Sequence, residues 1–288
     1  MGVKRHGMIR LIAAFLLLLW PQALLAQDRV VPLSAADARI ALGPDLRFLP
    51  PADARRIVVD LWENPSTEAD DILGMIVPES ADAKSPEWGA VIRWEPIGHV
   101  AADTAREADY DALMDEMQAQ VRAQNDKRRE DGYTPVQLLG WAERPSYDSV
   151  SNTVTWAREL RFFDGGENTL HYNVRILGRY GVLSMNIVAP MDRLAEVSTV
   201  AKQLSERTEF VPGARYADFD AERDEVAGYG VAGLVATGVG VAVAKNAGVF
   251  AVIAKLLQPL GIALLVLAAA LAVPFRRWFG TKDRAVKR

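Results

Sequence analysis

The side chains with the clearest potential for chemistry in this 288-residue chain are histidines and carboxylates, because it contains no cysteine. A thiol nucleophile, a thiolate metal site and a disulfide are therefore excluded. After the N-terminal segment only His99 and His171 remain, and neither has a second ligand or base at a suitable spacing. We interpret both as solvent-facing or packed histidines, and the sequence predicts no metal site and no cofactor.

Motifs of the common enzyme classes are missing as well. The chain has no GxSxG serine elbow, no GxxxxGK[ST] phosphate loop, no HExxH zinc motif and no GxGxxG after a predicted strand. The acidic residues 218–225 resemble a calcium loop only superficially, because position six is not glycine and position twelve is Tyr229. We interpret this run as a solvated acidic stretch.

One set of aromatic and charged residues could line a binding surface: Trp141, Tyr147, Asp148, Arg175 and Arg179. Residues 141–148 are predicted to form a loop at the end of a β-meander, where such side chains often bind ligands. The alternative is structural. Trp141 would then lie in the core, Tyr147 would make a corner hydrogen bond, and the arginines would pair with Glu159 across the sheet.

Two helices are predicted in the part of the chain that carries these residues. The first follows a capping box formed by Thr104 and Glu107 and ends near Gly132. Its apolar side chains recur at helical spacing on one face: Tyr110, Leu113, Met114, Met117 and Val121. The second helix, residues 191–207, directs Leu194, Val197, Ala201 and Leu204 toward the sheet.

Alternating apolar residues after position 135 predict four strands joined by glycine-containing turns at 164–166 and 178–181. On the third strand Arg175 lies opposite the apolar face, beside His171 and Asn173. Short apolar runs earlier in the chain are also read as strands, at residues 57–62, 72–77 and 88–94. The expected fold is α+β, an antiparallel β-meander with helices on one face.

The two ends of the chain indicate export and anchoring. Residues 1–26 have the basic, apolar and polar order of a signal peptide, with cleavage after Ala26; an uncleaved signal anchor is the alternative. Residues 256–275 are uncharged and long enough for a transmembrane helix. The tail, 276–288, holds six basic residues and one acid, which places it in the cytoplasm.

Between the predicted exported domain (27–225) and the anchor lies a segment rich in glycine and alanine, residues 226–248. Small residues recur there at every fourth position: Gly228, Ala232, Ala236, Gly240, Ala244 and Gly248. On a helix that lies on the membrane surface or dips into it, they would form a ridge that packs on the anchor or associates with a second copy or another membrane protein. Residues 227–244 could instead be a second membrane span or a flexible linker.

The charge distribution excludes one class of partner. Residues 27–225 contain 22 basic and 36 acidic residues, a net charge of −14, whereas the tail carries +5. An acidic exported domain repels phosphate backbones, so no nucleic-acid binding is expected. The expected partners are the lipid bilayer and, through the small-residue ridge, a homo-oligomer or membrane protein partner.

Four stretches of the sequence carry a family resemblance: residues 140–148 (GWAERPSYD), 155–157 (TWA), 170–183 (LHYNVRILGRYGVL) and 213–219 (GARYADF). Through them, most of the mature chain resembles a bacterial family catalogued as domain of unknown function 2167. Residues 224–230 are similar too, although Glu225 stands where that family usually has lysine. The resemblance implies a membrane-anchored bacterial envelope protein and supplies no catalytic residue or ligand.

Three functions are compatible with these features. The missing motifs and the anchor favour a non-enzymatic binding or interaction module on the periplasmic or extracytoplasmic side of the bacterial inner membrane. An envelope enzyme that uses Asp/Glu acid–base chemistry is an alternative, because two suitably spaced carboxylates are invisible in a sequence. An accessory subunit of a membrane complex is the third.

Overall fold

The computed structural model describes residues 29–82, 87–102, 105, 108–163 and 165–237. The predicted signal peptide (1–26), anchor (256–275) and basic tail (276–288) lie outside these residues, and so does the C-terminal part of the segment 226–248. Among the helices of the described ranges, none has both the length and the apolar composition that crossing a membrane requires.

Ten strands and four α-helices build the described part. The strands are β1 (Arg29–Leu33), β2 (Ala38–Leu42), β3 (Leu46–Leu49), β4 (Ile72–Pro78), β5 (Gly89–Glu95), β6 (Val136–Asp148), β7 (Thr153–Phe162), β8 (Thr169–Leu177), β9 (Val182–Pro190) and β10 (Thr208–Phe210). The helices are α1 (Pro51–Arg56), α2 (Tyr110–Glu130), α3 (Leu194–Glu206) and α4 (Val231–Thr237). A seven-stranded antiparallel sheet has the order β3-β4-β5-β9-β8-β7-β6, and a second sheet has the order β1-β2-β10.

The predicted α+β class and the meander β6 to β9 are confirmed. The predicted placement of helices on one face is wrong, because the large sheet is covered on both faces. On the first face, α3 and the small sheet pack over the even-numbered apolar residues of β8. On the second face, α2 and α4 pack over Val154 and Trp156 of β7. Successive side chains of β7 and β8 therefore point to opposite faces of the large sheet, and both faces are buried.

Three local predictions are corrected. Residues 57–62 do not form a strand: Pro51 starts α1, and a helical segment continues through Ile57–Leu61 with Ile57 and Val58 buried. The cap of α2 is Asp109, whose carboxylate accepts from two backbone N–H groups, so the helix begins later than predicted; the predicted capping box of Thr104 and Glu107 lies outside the described residues. Residues 141–148 are part of β6 and not a loop, since they pair with β7 as far as Asp148.

Helix α4 belongs to the core of the described part. Val231, Leu234 and Val235 are 0% exposed and share a cluster with α2 and β7. Of the predicted helix-association residues, Gly228 lies exposed in the turn before α4, Ala232 is half-buried and Ala236 is buried. The others, Gly240, Ala244 and Gly248, lie outside the described residues, so the association ridge stays a prediction.

Candidate functional site

The five predicted surface residues do not form one site. Trp141 lies on β6, packs against the cluster under α2, and donates from Nε1 to the carbonyl oxygen of Tyr110 at 3.1 Å. It therefore joins the sheet to the first turn of α2. This position agrees with the structural alternative for Trp141 and leaves no polar group of the indole available to a ligand.

Asp148 shapes the turn between β6 and β7. Its carboxylate accepts from the backbone N–H of Val150 at 2.9 Å and from the hydroxyl of Ser151 at 2.7 Å. The backbone hydrogen bond, followed by the hydroxyl, lowers the pKa of this exposed carboxyl group. Tyr147 reaches across the same turn and donates to Oδ1 of Asn152 at 3.0 Å. Both residues thus fix the conformation of a sharp turn.

Arg179 ties the β8–β9 turn to the segment that follows β10. Its guanidinium donates to both carboxylate oxygens of Asp224, at 2.7 and 3.0 Å, and to the carbonyl oxygen of Gly213 at 3.1 Å. The Asp224 side chain is only 6% exposed. Arg179 lowers the pKa of that carboxyl group, as expected for a two-point charged contact.

Arg175 is buried on the second face of the large sheet, with 7% of its surface exposed. Its Nε atom lies 3.6 Å from Oε1 of Glu95, and its guanidinium carbon lies 5.2 Å from the ring centre of Trp156. Burial lowers the pKa of Arg175, while the Glu95 carboxylate opposes this effect. Strand parity predicts the face of Arg175 correctly, but Arg175 does not face solvent because the second face is covered too.

A row of polar side chains surrounds Arg175. Strand register places Ser184 of β9 opposite Arg175, and Asn186 opposite Asn173 of β8. Arg175, Asn173 and Ser184 are buried on the second face of the large sheet. The same face carries the apolar residues that pack against α2 and those that pack against α1. Ser184 donates to the carboxylate of Glu95, so this acid neutralises a buried guanidinium and accepts a buried hydroxyl at once.

His171 lies in the same region and is expected to make stability sensitive to acid. Burial lowers its pKa to about 3, and the neighbouring positive charge of Arg158 contributes. An unfolded chain takes up this proton near its ordinary pKa, so the free energy of unfolding should fall below about pH 6.5, by about 1.4 kcal/mol per pH unit. In His171→Gln, the stability loss between about pH 7.5 and pH 5 should be smaller by about 1–2 kcal/mol. Urea unfolding of the full-length chain at both pH values measures this difference; equal losses in the two proteins would contradict it.

The structure brings together a groove that the sequence did not reveal. Its centre is His99, whose ring is stacked between Tyr216, at 4.3 Å between ring centres, and Phe219, at 3.9 Å. The interplanar angles are 24° and 15°. The open groove has a volume of about 430 Å³ and an apolar lining: His99, Ala101, Ala102, Tyr147, Tyr216, Phe219 and Val226. Of the predicted surface residues, Tyr147 is a lining residue.

Backbone pairing holds the groove in place. The N–H of His99 donates to the carbonyl oxygen of Glu225 at 2.8 Å, and the N–H of Ala227 donates to the carbonyl oxygen of His99 at 2.9 Å. The hydroxyl of Tyr216 donates to the carbonyl oxygen of Val100 at 3.0 Å. The ion pair between Arg179 and Asp224 also holds the segment around Glu225, because it joins this segment to the β8–β9 turn. Apart from this ion pair, the contacts that hold the stacked rings join residues more than 100 positions apart.

The groove is suited to binding more than to metal chemistry. In the described residues, no three His, Asp or Glu side chains come together in a way that would hold a metal ion. His99 is 9% exposed, and its Nδ1 has no hydrogen-bond partner within those residues. Burial lowers its pKa, with Asp224 opposing the effect, so the imidazole is neutral at neutral pH. Aromatic rings cover both faces of His99, so the accessible apolar surface of the groove comes from the partly exposed Tyr216 and Phe219 and the exposed Val226.

Comparisons with known proteins give a family and no close relative of known activity. The comparison with curated proteins returns no match. The solution structure of cyanobacterial PsbP (CyanoP) from Synechocystis is 9% identical and covers 66% of this chain and 95% of that one, with a TM-score of 0.37. The crystal structure of the Saccharomyces cerevisiae Ran-binding protein Mog1p is 13% identical and covers 67% and 98%, with a TM-score of 0.32. Likenesses at TM-scores under 0.5 do not transfer a function.

The family resemblance seen in the sequence is confirmed over nearly the whole chain. The pattern of one family matches residues 26–271 and so includes every described strand and helix. The chain therefore belongs to the family described as Protein of unknown function (DUF2167).

Proposed function

We propose that this protein is a non-enzymatic, membrane-tethered module of the bacterial envelope that binds a protein partner in the groove around His99. The observation that carries the proposal is the open, apolar groove itself. Aromatic residues dominate protein interfaces, and grooves of this kind accept single apolar anchor side chains of a partner. The groove is too open to enclose a small substrate and exclude water from it.

Exposed apolar side chains around the groove support a protein partner. Val226, on its rim, is 60% exposed, and Val150 and Tyr180 are 91% and 45% exposed. Val150 lies in the turn that Tyr147 closes, and the carbonyl oxygen of Tyr180 accepts from the N–H of Gly98 at 3.1 Å. Single exposed apolar residues need no explanation, but a group at one end of a sheet is typical of an interaction surface.

Photocrosslinking in intact membranes tests this proposal with a matched pair of positions. A photoreactive phenylalanine replaces either Val226, 60% exposed at the groove, or Val30, 58% exposed on β1 of the small sheet. We expect a discrete adduct from position 226 and none from position 30. Phe219→Ala removes one side of the aromatic stack and should weaken the 226 adduct at least about fivefold. Equal adducts from both positions, or none from 226, would refute the groove as the binding site.

The membrane tether is supported by the signal-like residues 1–26 and by the uncharged residues 256–275 with a basic tail behind them. Because the chain has no cysteine, a single introduced cysteine is a unique label. At Lys245 it should react with a membrane-impermeant maleimide in cells with a permeabilised outer membrane, whereas at Lys287 it should react only after detergent is added. The reverse result would overturn the predicted orientation of the basic tail.

A further inference from the structure

We infer that the partner segment held by this groove carries an apolar or aromatic side chain flanked by lysine or arginine. The inference rests on the proposed binding function and adds the chemistry of the partner. It comes from the charges at the rim of the groove. The segment 216–227, which supplies the lining residues Tyr216, Phe219 and Val226, also contains five acids and one base: Asp218, Asp220, Glu222, Arg223, Asp224 and Glu225.

Two of these carboxylates are available to a partner. Asp224 is occupied by Arg179, and Asp218 accepts from the backbone N–H groups of Gly213 and Arg215. Asp220 accepts from the backbone N–H of Glu222 and lies 3.6 Å from Arg223. Glu222 and Glu225 are exposed, and no hydrogen bond or ion pair of their side chains is present in the described ranges. Exposed and unneutralised carboxylates attract a cationic partner and repel an anionic one.

Their position relative to the apolar lining follows from the backbone. The carbonyl oxygen of Glu225 accepts from His99, and the next residue, Val226, lines the groove. A partner whose apolar side chain enters the groove beside Val226 therefore passes close to the acidic residue Glu225.

The groove itself supplies no compensating positive charge. His99 is neutral at neutral pH, Arg223 lies 3.6 Å from the carboxylate of Asp220, and Arg179 contacts both oxygens of Asp224. The net negative charge of the rim would repel phosphate groups, anionic lipid surfaces and acidic peptides. An apolar side chain flanked by basic residues is complementary both to the apolar lining and to the acidic rim.

Binding of short fluorescent peptides to the full-length chain tests the inference. The probes have a central phenylalanine with two lysines on each side, the same phenylalanine with two glutamates on each side, and a central serine with the four lysines. We expect the first peptide to bind at least about tenfold more tightly than either of the others in fluorescence anisotropy, with an affinity that falls as salt increases.

Charge reversal at the rim provides the matched control. The double variant Glu222→Lys with Glu225→Lys should weaken the lysine-flanked peptide at least about fivefold, whereas Glu130→Lys, at the exposed end of α2, should leave it unchanged. Circular dichroism checks that each variant is folded. Equal binding of lysine- and glutamate-flanked peptides, no binding of any peptide, or insensitivity to the rim reversal would overturn the inference. An adduct at position 226 would still support the proposed function in those cases, and its absence would overturn both.

Discussion

Replacing Gly181 with alanine is expected to destabilise the protein by about 3 kcal/mol or more. A Cβ atom at this position would overlap the carbonyl oxygen of Glu95 and lie 3.0 Å from the Cα atom of Pro96. The obstacle is backbone and cannot rotate away. The β8–β9 turn and the strand β5 would have to separate, against the pairing of Glu95 with Val182.

The same substitution should also disturb the groove. Tyr180 precedes Gly181, and its carbonyl oxygen accepts from the N–H of Gly98, next to His99. We expect the photocrosslinked adduct at position 226 to decrease in Gly181→Ala even under conditions where the chain remains folded.

The matched control is Gly140→Ala on β6, where an added Cβ has nothing within 4 Å. Alanine there should change the free energy of unfolding by less than about 1 kcal/mol, since a glycine within a strand costs entropy that alanine reduces. Guanidinium unfolding of the full-length chains in one detergent, followed by tryptophan fluorescence, measures both variants. A Gly181→Ala protein as stable as Gly140→Ala would show that β5 and the turn are not in close contact.

The second large effect is expected from Glu95→Gln, with a loss of about 2–3 kcal/mol. This change leaves the buried guanidinium of Arg175 without its carboxylate, and an uncompensated buried charge costs several kcal/mol. The Glu95 side chain is 27% exposed, so water offsets part of the cost and the lower end of the range applies. Glutamine still accepts a hydrogen bond from Ser184, so the measured loss reports mainly on charge.

An exposed pair gives the comparison. Arg29 and Glu79 are closer, at 2.6 Å, but their side chains are 52% and 46% exposed, so Glu79→Gln should cost less than about 1 kcal/mol. The double variant Arg175→Met with Glu95→Gln removes the buried charge as well and should recover at least half of the stability lost in Glu95→Gln. Urea unfolding of the full-length proteins decides the matter. Equal losses at the two pairs, or no recovery in the double variant, would refute a buried charge pair at Arg175.

Much of the fold could be predicted because it depends on local patterns. The period-two alternation after Pro135, with Gly178 and Gly181 in a tight turn, determines a meander, and the spacing of Val197, Ala201 and Leu204 determines a helix on one side of it. The observed fold differs from the predicted fold where a local sequence pattern is compatible with both a strand and a helix. Residues 57–62 are apolar throughout, and neither period distinguishes a strand from the helical segment that begins at Pro51.

The candidate site could not be predicted in the same way. The lining residues come from three separate parts of the chain, residues 99–102, Tyr147 and residues 216–226, and no spacing in the sequence relates these parts. The one available signal was indirect: Tyr147 and Phe219 lie in two of the stretches that carry the family resemblance. Arg175 was placed on the correct strand face, yet its burial depends on helices that pack there from elsewhere in the chain.

The sequence by itself determined the antiparallel meander, the two long helices, the absence of thiol chemistry and the acidic charge of residues 27–225, because periodicity, composition and charge are properties of the chain alone. Only the tertiary structure decided that the large sheet is covered on both faces. That arrangement turns Arg175 from a surface residue into the buried partner of Glu95, and it gathers an aromatic groove around His99. Burial and long-range contact depend on which elements pack together, and no local pattern contains that information.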